Sequence, residues 1–237
     1  MRIVQNCCTL GGNFKRKKLI LGVINFGLEV SVASWLRDAL HVTDFVETGT
    51  YKGQTSFRMS HVFKNVFTVE GSDFYFKLAT ENLKNLNNVA ITKSDSVDFL
   101  NSSNWGRGPA VFWLDAHWCG TQTAGVEYEC PILEEIEALK RIDLNRSAIL
   151  IDDARLFLKP PPHPHKIHQW PTLREIIDRL PKEHEIFIHN DVIYSVPSFI
   201  FGSFTEFLSN EEMKIQINKT SKVVNLAKEV FRKFGFQ

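Results

Sequence analysis

The stretch that decides the fold is Asp44-Phe-Val-Glu-Thr-Gly-Thr-Tyr-Lys-Gly53. Its first residues form a short apolar run that favours a strand, and a helical pattern follows over residues 54–63. The strand therefore ends in a loop of the form acid-x-Gly-x-x-x-Gly. In this loop Gly49 permits a tight turn and the close approach of a ligand, and Gly53 lets the next helix pack against the strand.

The same loop excludes two common phosphate-binding motifs. It lacks the further glycines of a dinucleotide-binding loop and the Gly-Lys-Ser/Thr of a P-loop. A diphosphate favours an uncluttered helix N-terminus, whereas an acid at the end of the strand suits a cationic ligand better. The loop alone leaves open a glycine turn that binds no nucleotide.

Short apolar runs alternate with helical stretches along the rest of the chain. These runs are continuous, which is typical of parallel strands buried on both faces. The pattern predicts an α/β fold with a doubly wound, mostly parallel sheet and an antiparallel hairpin, 185–189 with 192–196, at one edge. The parallel strands are predicted over 44–47, 65–70, 89–93, 110–115 and 148–152, and the helices over 30–40, 54–63, 73–85, 97–100, 131–142 and 172–180.

Length and composition indicate one domain. The 237 residues, of which 43% are hydrophobic, suffice for a single buried core. We expect one domain over residues 1–237, with an appended segment over 1–40, a Rossmann-like core over 41–200 and a polar, amphipathic tail over 201–237.

Charge and cysteine content limit the partners and the compartment. The net charge of +1 gives no electrostatic reason for a nucleic-acid partner, and no apolar run is long enough to span a membrane. The four cysteines form no CxxC pair, which favours a reducing compartment, and we expect a cytoplasmic protein. The sequence leaves a homo-oligomer open.

Each predicted parallel strand ends at or near a carboxylate. In open α/β sheets ligands bind beyond the carboxyl ends of the strands, so these acids are expected to line one site. Glu70 follows Gly49 by about 20 residues, the distance at which an acid commonly receives two ribose hydroxyls. This predicts an adenosine cofactor without separating NAD from S-adenosylmethionine. The strand-end acids are Glu47, Glu70, Asp95, Asp115, Asp152 and Asp153.

The Glu47–Gly53 loop, Glu70 and the Ser94-Asp95-Ser96 turn resemble the first three motifs of class I S-adenosylmethionine-dependent methyltransferases, over roughly residues 43–196. The resemblance implies that the loop wraps the methionine part, Glu70 holds the ribose, and Asp95 with Ser96 meets the adenine. The cofactor-binding residues that it implies are Glu47, Thr48, Gly49, Thr50, Tyr51, Gly53, Thr55, Ser56, Glu70, Gly71, Asp95, Ser96 and Asp115.

Asp115 and the pair Asp152-Asp153 follow neighbouring strands, and we expect them to converge within a few ångströms. Oxygen ligands of this kind suit Mg²⁺. The arrangement is similar to metal-dependent O-methyltransferases of the catechol type, and closer to the macrocin type, which methylate sugar hydroxyls and carry an Asp-Asp pair. The alternative is that Asp152 or Asp153 caps a helix or pairs with Arg155.

The general base of the catechol type is missing. That family places a lysine three residues after the first aspartate, a position that Trp118 holds here. His117 is the nearest candidate for the base, with Asp115 as the other catalytic residue. A metal ligand or a packed residue are equally open interpretations of His117.

Two loops are interpreted as lids over the site. Residues 159–171 are rich in proline and histidine and form a rigid wall suited to a sugar, while Cys119–Cys130 encloses two glycines. Glu127 and Glu129 in the second loop are interpreted as solvated acids.

The sequence thus predicts a Mg²⁺-dependent O-methyltransferase that acts on a hydroxyl of a sugar or glycan. Within the enzyme class the alternative acceptor is a phenol or another small metabolite. A catalytically silent relative that binds a nucleotide is a different class, and so is a nicotinamide dehydrogenase, which the missing glycines disfavour.

Overall fold

The computed structural model describes residues 27–120 and 122–233, with side chains described as far as residue 217. The chain divides into two compact units, of which the first ends at Ser198 and the second begins at Phe199. The domain bounds expected from the sequence stay a prediction, and residues 1–26 of the appended segment lie outside the described residues.

Strands and helices alternate through the first unit. Its strands are β1 (Asp44–Thr48), β2 (Asn65–Glu70), β3 (Val89–Lys93), β4 (Ala110–Leu114), β5 (Ala148–Ile151), β6 (His184–His189) and β7 (Val192–Pro197). Its helices are α1 (Val30–Leu40), α2 (Gln54–Ser60), α3 (Asp73–Leu83), α4 (Ser96–Asn101), α5 (Ile132–Leu139) and α6 (Leu173–Arg179), with short 3₁₀ turns at Ala154–Leu156 and Ile167–Gln169.

All seven strands form one sheet in the order β3-β2-β1-β4-β5-β7-β6. The first five are parallel, and β7 runs antiparallel to both β5 and β6. This confirms the predicted doubly wound sheet with a hairpin at one edge. The strand order reverses between β1 and β4, which is where such sheets bind their ligands.

Burial explains the accuracy of the strand predictions. Every residue of β4 and of β5 is buried, as expected for central strands that are covered on both faces. The hairpin turn places Asn190 and Asp191 at φ of 48° and 69°, the left-handed pair that a two-residue turn requires.

The helix α7 (Ser198–Lys233) accounts for the described part of the second unit, where the sequence predicted a polar, amphipathic tail without assigning its secondary structure. Residues 203–233 contain no proline or glycine, and good helix formers such as Glu and Lys recur along them. Helix propensity therefore carries through a segment that lacks a strong apolar stripe. In the described residues no helix is long and apolar enough to cross a membrane.

Candidate functional site

The glycine loop lies at the point where the strand order reverses. Gly49 has φ +81°, and a Cβ on it would lie 2.2 Å from the carbonyl oxygen of Asp115. The amides of Gly49 and Thr50 both donate to the carbonyl of Val69, at 3.0 and 3.1 Å. Gly49 therefore permits the close approach of the backbone that follows β4, whereas the ligand approach that the sequence predicted stays a prediction.

Gly53 is the second glycine of this loop that has a left-handed backbone conformation. Its φ is +79°, and a Cβ would lie 2.9 Å from a methyl carbon of Leu83 in α3. Gly53 therefore permits the close approach of α3, and its predicted role in letting α2 pack against the strand stays a prediction. Between the glycines the Tyr51 ring lies 4.2 Å from the ring of Tyr75, which fixes the outer wall of the loop.

Glu47 has partners inside the protein. It is 2% exposed, and its Oε2 accepts hydrogen bonds from Ser56 and Thr68, the latter at 2.6 Å. Burial raises the pKa of Glu47 to about 7 against the effect of these two bonds. In this arrangement Glu47 ties β1 to β2 and α2, and its predicted role opposite a cationic ligand stays a prediction.

Both oxygens of the Glu70 carboxylate are held by backbone amides, and its predicted role in binding a ribose stays a prediction. One of its oxygens accepts from the Tyr51 amide at 2.8 Å, and the other from the Ser72 amide at 2.7 Å. Each carboxylate oxygen has a further acceptor position, so a diol such as a ribose can be held without breaking either bond. Burial raises the pKa of Glu70 despite these bonds.

The two predicted cofactor residues in the turn after β3 have different surroundings. Asp95 is exposed and caps α4, accepting from the amides of Val97 at 2.8 Å and Asp98 at 3.3 Å. Ser96 is buried and hydrogen-bonds to Glu135 of α5. The structure therefore gives both residues local structural roles, and their contacts with an adenine stay predictions.

The remaining predicted cofactor residues line the same edge of the sheet. Thr50 is buried with its hydroxyl 2.6 Å from that of Thr68, and Thr55 accepts from Arg58 at 3.4 Å. Gly71 follows Glu70, and a Cβ on it would lie 2.7 Å from Ala124 of the 119–130 loop. That loop therefore lies directly beside the predicted ribose site.

Asp153 is the centre of a charged cluster after β5. Its carboxylate lies 3.0 Å from His117 Nε2 and 2.5 Å from Arg155 Nη1, and its amide donates to Asp152 at 2.7 Å. The backbone of Asp153 has φ 57°, a left-handed conformation that costs energy in most residues and is tolerated best by Asn and Asp.

The turn between β6 and β7 completes this cluster. The Arg155 guanidinium also pairs with the Asp191 carboxylate, and the amides of Ala154 and Arg155 donate to Asp191 at 2.8 and 2.9 Å. The hairpin that the sequence predicted for the edge of the sheet therefore holds the turn that carries Asp153.

The charged side chains of this cluster shift one another's pKa values. Burial raises the pKa of Asp153, but the hydrogen bond and charge of His117 and the charge of Arg155 outweigh burial and lower it. Burial lowers the pKa of His117, but the hydrogen bond and charge of Asp153 raise it above its usual range. Burial and the charge of Asp153 raise the pKa of Asp152. The Asp153 carboxylate therefore favours the protonated form of His117.

Asp115 lies on the other side of His117. Its Oδ1 is 3.6 Å from His117 Nδ1, and its side chain is 33% exposed against 15% for Asp153. His117 thus lies within reach of both Asp115 and Asp153, whereas the convergence of Asp115, Asp152 and Asp153 that the sequence predicted stays a prediction.

A metal ion fits this donor set poorly. Both oxygens of Asp153 already face the cationic groups of His117 and Arg155. Within the described part of the chain no group of three or more His, Cys, Asp or Glu side chains is arranged to hold a metal. The pairing of Asp153 with Arg155, the alternative to a metal site, is what the structure contains.

Glu129 joins the two loops that were interpreted as lids. It is 2% exposed, and its Oε2 accepts from the Lys166 amide at 2.9 Å and from Trp170 Nε1 at 2.8 Å. The rings of His165 and Trp170 lie 4.9 Å apart, and that of Trp170 is 5.5 Å from His117. The interpretation of Glu129 as a solvated acid is wrong, because its carboxylate holds the 159–171 loop over the charged cluster.

We expect Glu129→Ala to loosen that loop. The change leaves the buried Trp170 Nε1 without an acceptor, which costs about 1–3 kcal/mol, and it frees the Lys166 amide. Trypsin should then cleave after Lys166 at least about fivefold faster than in the wild type. The control is Glu127→Ala, because that side chain is exposed, and equal cleavage rates in the two variants would contradict the role of Glu129.

Sequence reasoning missed Glu135 and did not assign Asp191. Glu135 shares the buried face of α5 with Ile132, Ile136 and Leu139, so the helical spacing was a signal that this acid is buried. No local pattern marks Asp191 as the partner of Arg155, because the pairing depends on how the hairpin meets β5.

Comparison with solved structures places this fold among methyltransferases. The O-methyltransferase from Bacillus cereus in complex with SAH has a TM-score of 0.51 and 14% identity, over 70% of this chain and 80% of its own. TomG from Streptomyces achromogenes, in complex with SAM, has a TM-score of 0.52 and 14% identity over 71% and 79%. PaMTH1 from Podospora anserina, bound to SAH, has a TM-score of 0.51 and 12% identity over 71% and 77%.

At these identities the likeness concerns the fold, which is the Rossmann-like fold of class I methyltransferases. No protein-family model matches the chain, and no curated protein matches it. The architecture expected from the three sequence motifs is confirmed, whereas the activity has to be argued from the site itself.

Proposed function

We propose that the protein is an S-adenosylmethionine-dependent O-methyltransferase. The observation that carries the proposal is the position of Glu70. Two backbone amides order its oxygens beside the Gly49 loop, at the reversal of strand order, in a fold shared with proteins solved with SAM or SAH. This is the geometry needed to hold the ribose of an adenosine cofactor.

The reaction requires alignment and the removal of one proton. The acceptor oxygen attacks the methyl carbon, the C–S bond breaks with its electrons passing to sulfur, and the hydroxyl proton must be taken up. His117 lies between two carboxylates that favour its protonated form, so it is better suited to orienting the cluster than to acting as the base. We infer that Asp115, the more exposed of those two carboxylates, accepts the proton.

The proposed acceptor is a sugar hydroxyl. Trp118, which directly precedes the 119–130 loop, is half-buried with its ring 5.3 Å from that of His165, and this ring offers a flat apolar surface to a sugar. Among the described residues Trp118 Nε1 is buried without a hydrogen-bond partner, so an acceptor hydroxyl would satisfy it. A phenolic acceptor is the second candidate, because the exposed Val126 and Ile167 add apolar surface to the same loops.

The magnesium dependence that the resemblance implies is not part of this proposal. Both Asp153 oxygens pair with His117 and Arg155, so no step of the proposed reaction passes through a metal. We expect turnover in EDTA to remain within about twofold of turnover in Mg²⁺. If EDTA abolished turnover and added Mg²⁺ restored it, the ion would have to displace Arg155 from the Asp153 carboxylate.

Transfer of a labelled methyl group from S-adenosylmethionine tests the function. The panel contains nucleotide sugars, oligosaccharides, catechols and a buffer blank, each with and without EDTA. We expect label in at least one hydroxylated acceptor. If the acceptor is a sugar and the new methyl ether lies on one hydroxyl of a vicinal diol, the product should resist the periodate cleavage that the unmethylated sugar undergoes. Binding of S-adenosylmethionine without transfer to any member would favour the silent relative.

A further inference from the structure

Glu135 is a buried acid that the proposed reaction does not use. It is 1% exposed on the inner face of α5, while Glu134 and Glu137 beside it are exposed. Its carboxyl group hydrogen-bonds to the side chains of Thr48 and Ser96. A carboxyl group in such surroundings is costly, so its position is a specific feature of the site.

The two hydroxyls that it binds belong to separate cofactor loops. Thr48 is the last residue of β1 and directly precedes Gly49, and Ser96 is the first residue of α4, after β3. The Thr48 hydroxyl also accepts from the Asp115 amide at 3.2 Å. A single carboxyl group thus links the ends of β1 and β3 directly, and the end of β4 through Thr48.

The other side of Glu135 faces a small cavity. Its Oε1 has no hydrogen-bond partner among the described residues. The cavity has a volume of about 10 Å³ and is lined by Glu135, His117 and apolar residues that include Leu114 and Phe157. This is close to the space that one water molecule needs, and a water there would give Oε1 its missing partner.

We propose that Glu135 is the positioning residue of the donor site, holding the loops after β1 and β3 in register. The inference rests on the proposed function, since the ligand that these loops would receive is S-adenosylmethionine. Glu135 acts through Thr48 and Ser96 and touches no reacting atom.

Burial is consistent with a group that is partly protonated at neutral pH. Burial raises the pKa of Glu135 to about 7 against the bonds from Ser96 and Thr48, the charge of Asp95 raises it further, and that of His117 lowers it. Because protonated and ionised forms both accept from hydroxyls, the link to the two loops holds across this range.

Calorimetry with S-adenosylmethionine tests the proposal on three variants. Glu135→Leu leaves two buried hydroxyls without their acceptor, and we expect its Kd to rise at least about tenfold. Glu135→Gln keeps an acceptor oxygen and should stay within about threefold of the wild type. Glu137→Gln is the control on the exposed face of the same helix and should bind as the wild type does. A Glu135→Leu variant that is folded and binds normally would overturn the proposal.

A second measurement does not depend on the cofactor. The pKa of Glu135 in the folded protein lies above its ordinary value of 4.5, so the stability it contributes is complete below pH 4.5 and is lost as pH rises through about 7. The melting temperature of Glu135→Gln should therefore rise relative to that of the wild type as the pH increases from 5 to 8. Parallel curves would show that Glu135 is not buried as described, whereas a wild type that fails to bind S-adenosylmethionine would overturn the proposed function itself.

Discussion

Asp153→Asn should lower kcat/KM for methyl transfer at least about 100-fold while the protein stays folded and binds S-adenosylmethionine. Asparagine tolerates the left-handed backbone at this position, so the turn is kept. The change removes the charge that raises the pKa of His117 and the carboxylate charge that pairs with Arg155. Arg155 retains Asp191, so we expect the melting temperature to fall by only a few degrees, equivalent to about 1–2 kcal/mol.

The control for Asp153→Asn is Asp178→Asn. Asp178 pairs with Arg174 on the exposed surface of α6, where an ion pair contributes little. Its kcat/KM should match the wild type. If Asp153→Asn also kept its activity, the cluster of Asp115, His117 and Asp153 would have no part in the reaction.

Gly49→Ala should destabilise the protein by at least about 3 kcal/mol and weaken S-adenosylmethionine binding more than tenfold. The alanine would have to hold a φ of +81°, and its Cβ would overlap the carbonyl group of Asp115. Since that contact is with backbone atoms, the end of β4 must move, and Asp115 moves with it. Urea unfolding measures the stability and calorimetry the binding.

Gly108→Ala is the matched control. A Cβ at Gly108 meets nothing within 4 Å, and the residue is not in the left-handed region, so unfolding should change by less than about 0.5 kcal/mol. Equal stability of the two variants would mean that the loop does not lie against β4.

The strands were predictable because their apolar runs are continuous. β2 and β3 match the predicted bounds, and β1, β4 and β5 differ from them by one residue at the carboxyl end. At each of these ends a polar residue marks the limit of the apolar run. Topology then follows from the alternation with helices, and it places the strand-end acids in a row without further information.

Partner choice within the site was not predictable. The sequence allowed Asp153 either a metal or Arg155, and only the meeting of the β6–β7 turn with β5 decides between them. The burial and the partners of Glu129 were not predictable for the same reason. These partners lie about 40 residues away in a loop without regular structure. Contacts of this kind depend on tertiary packing, which local patterns do not encode.

The most direct test of the central claim is calorimetry of the wild-type protein with S-adenosylmethionine, S-adenosylhomocysteine and NAD⁺. The Glu70 carboxylate and the Gly49 loop predict one site per chain that binds both S-adenosyl compounds, with a Kd of about 1–100 μM, and binds NAD⁺ at least tenfold more weakly. The Gly49→Ala variant should lose this binding. The absence of heat with both S-adenosyl compounds, or tighter binding of NAD⁺, would contradict the account.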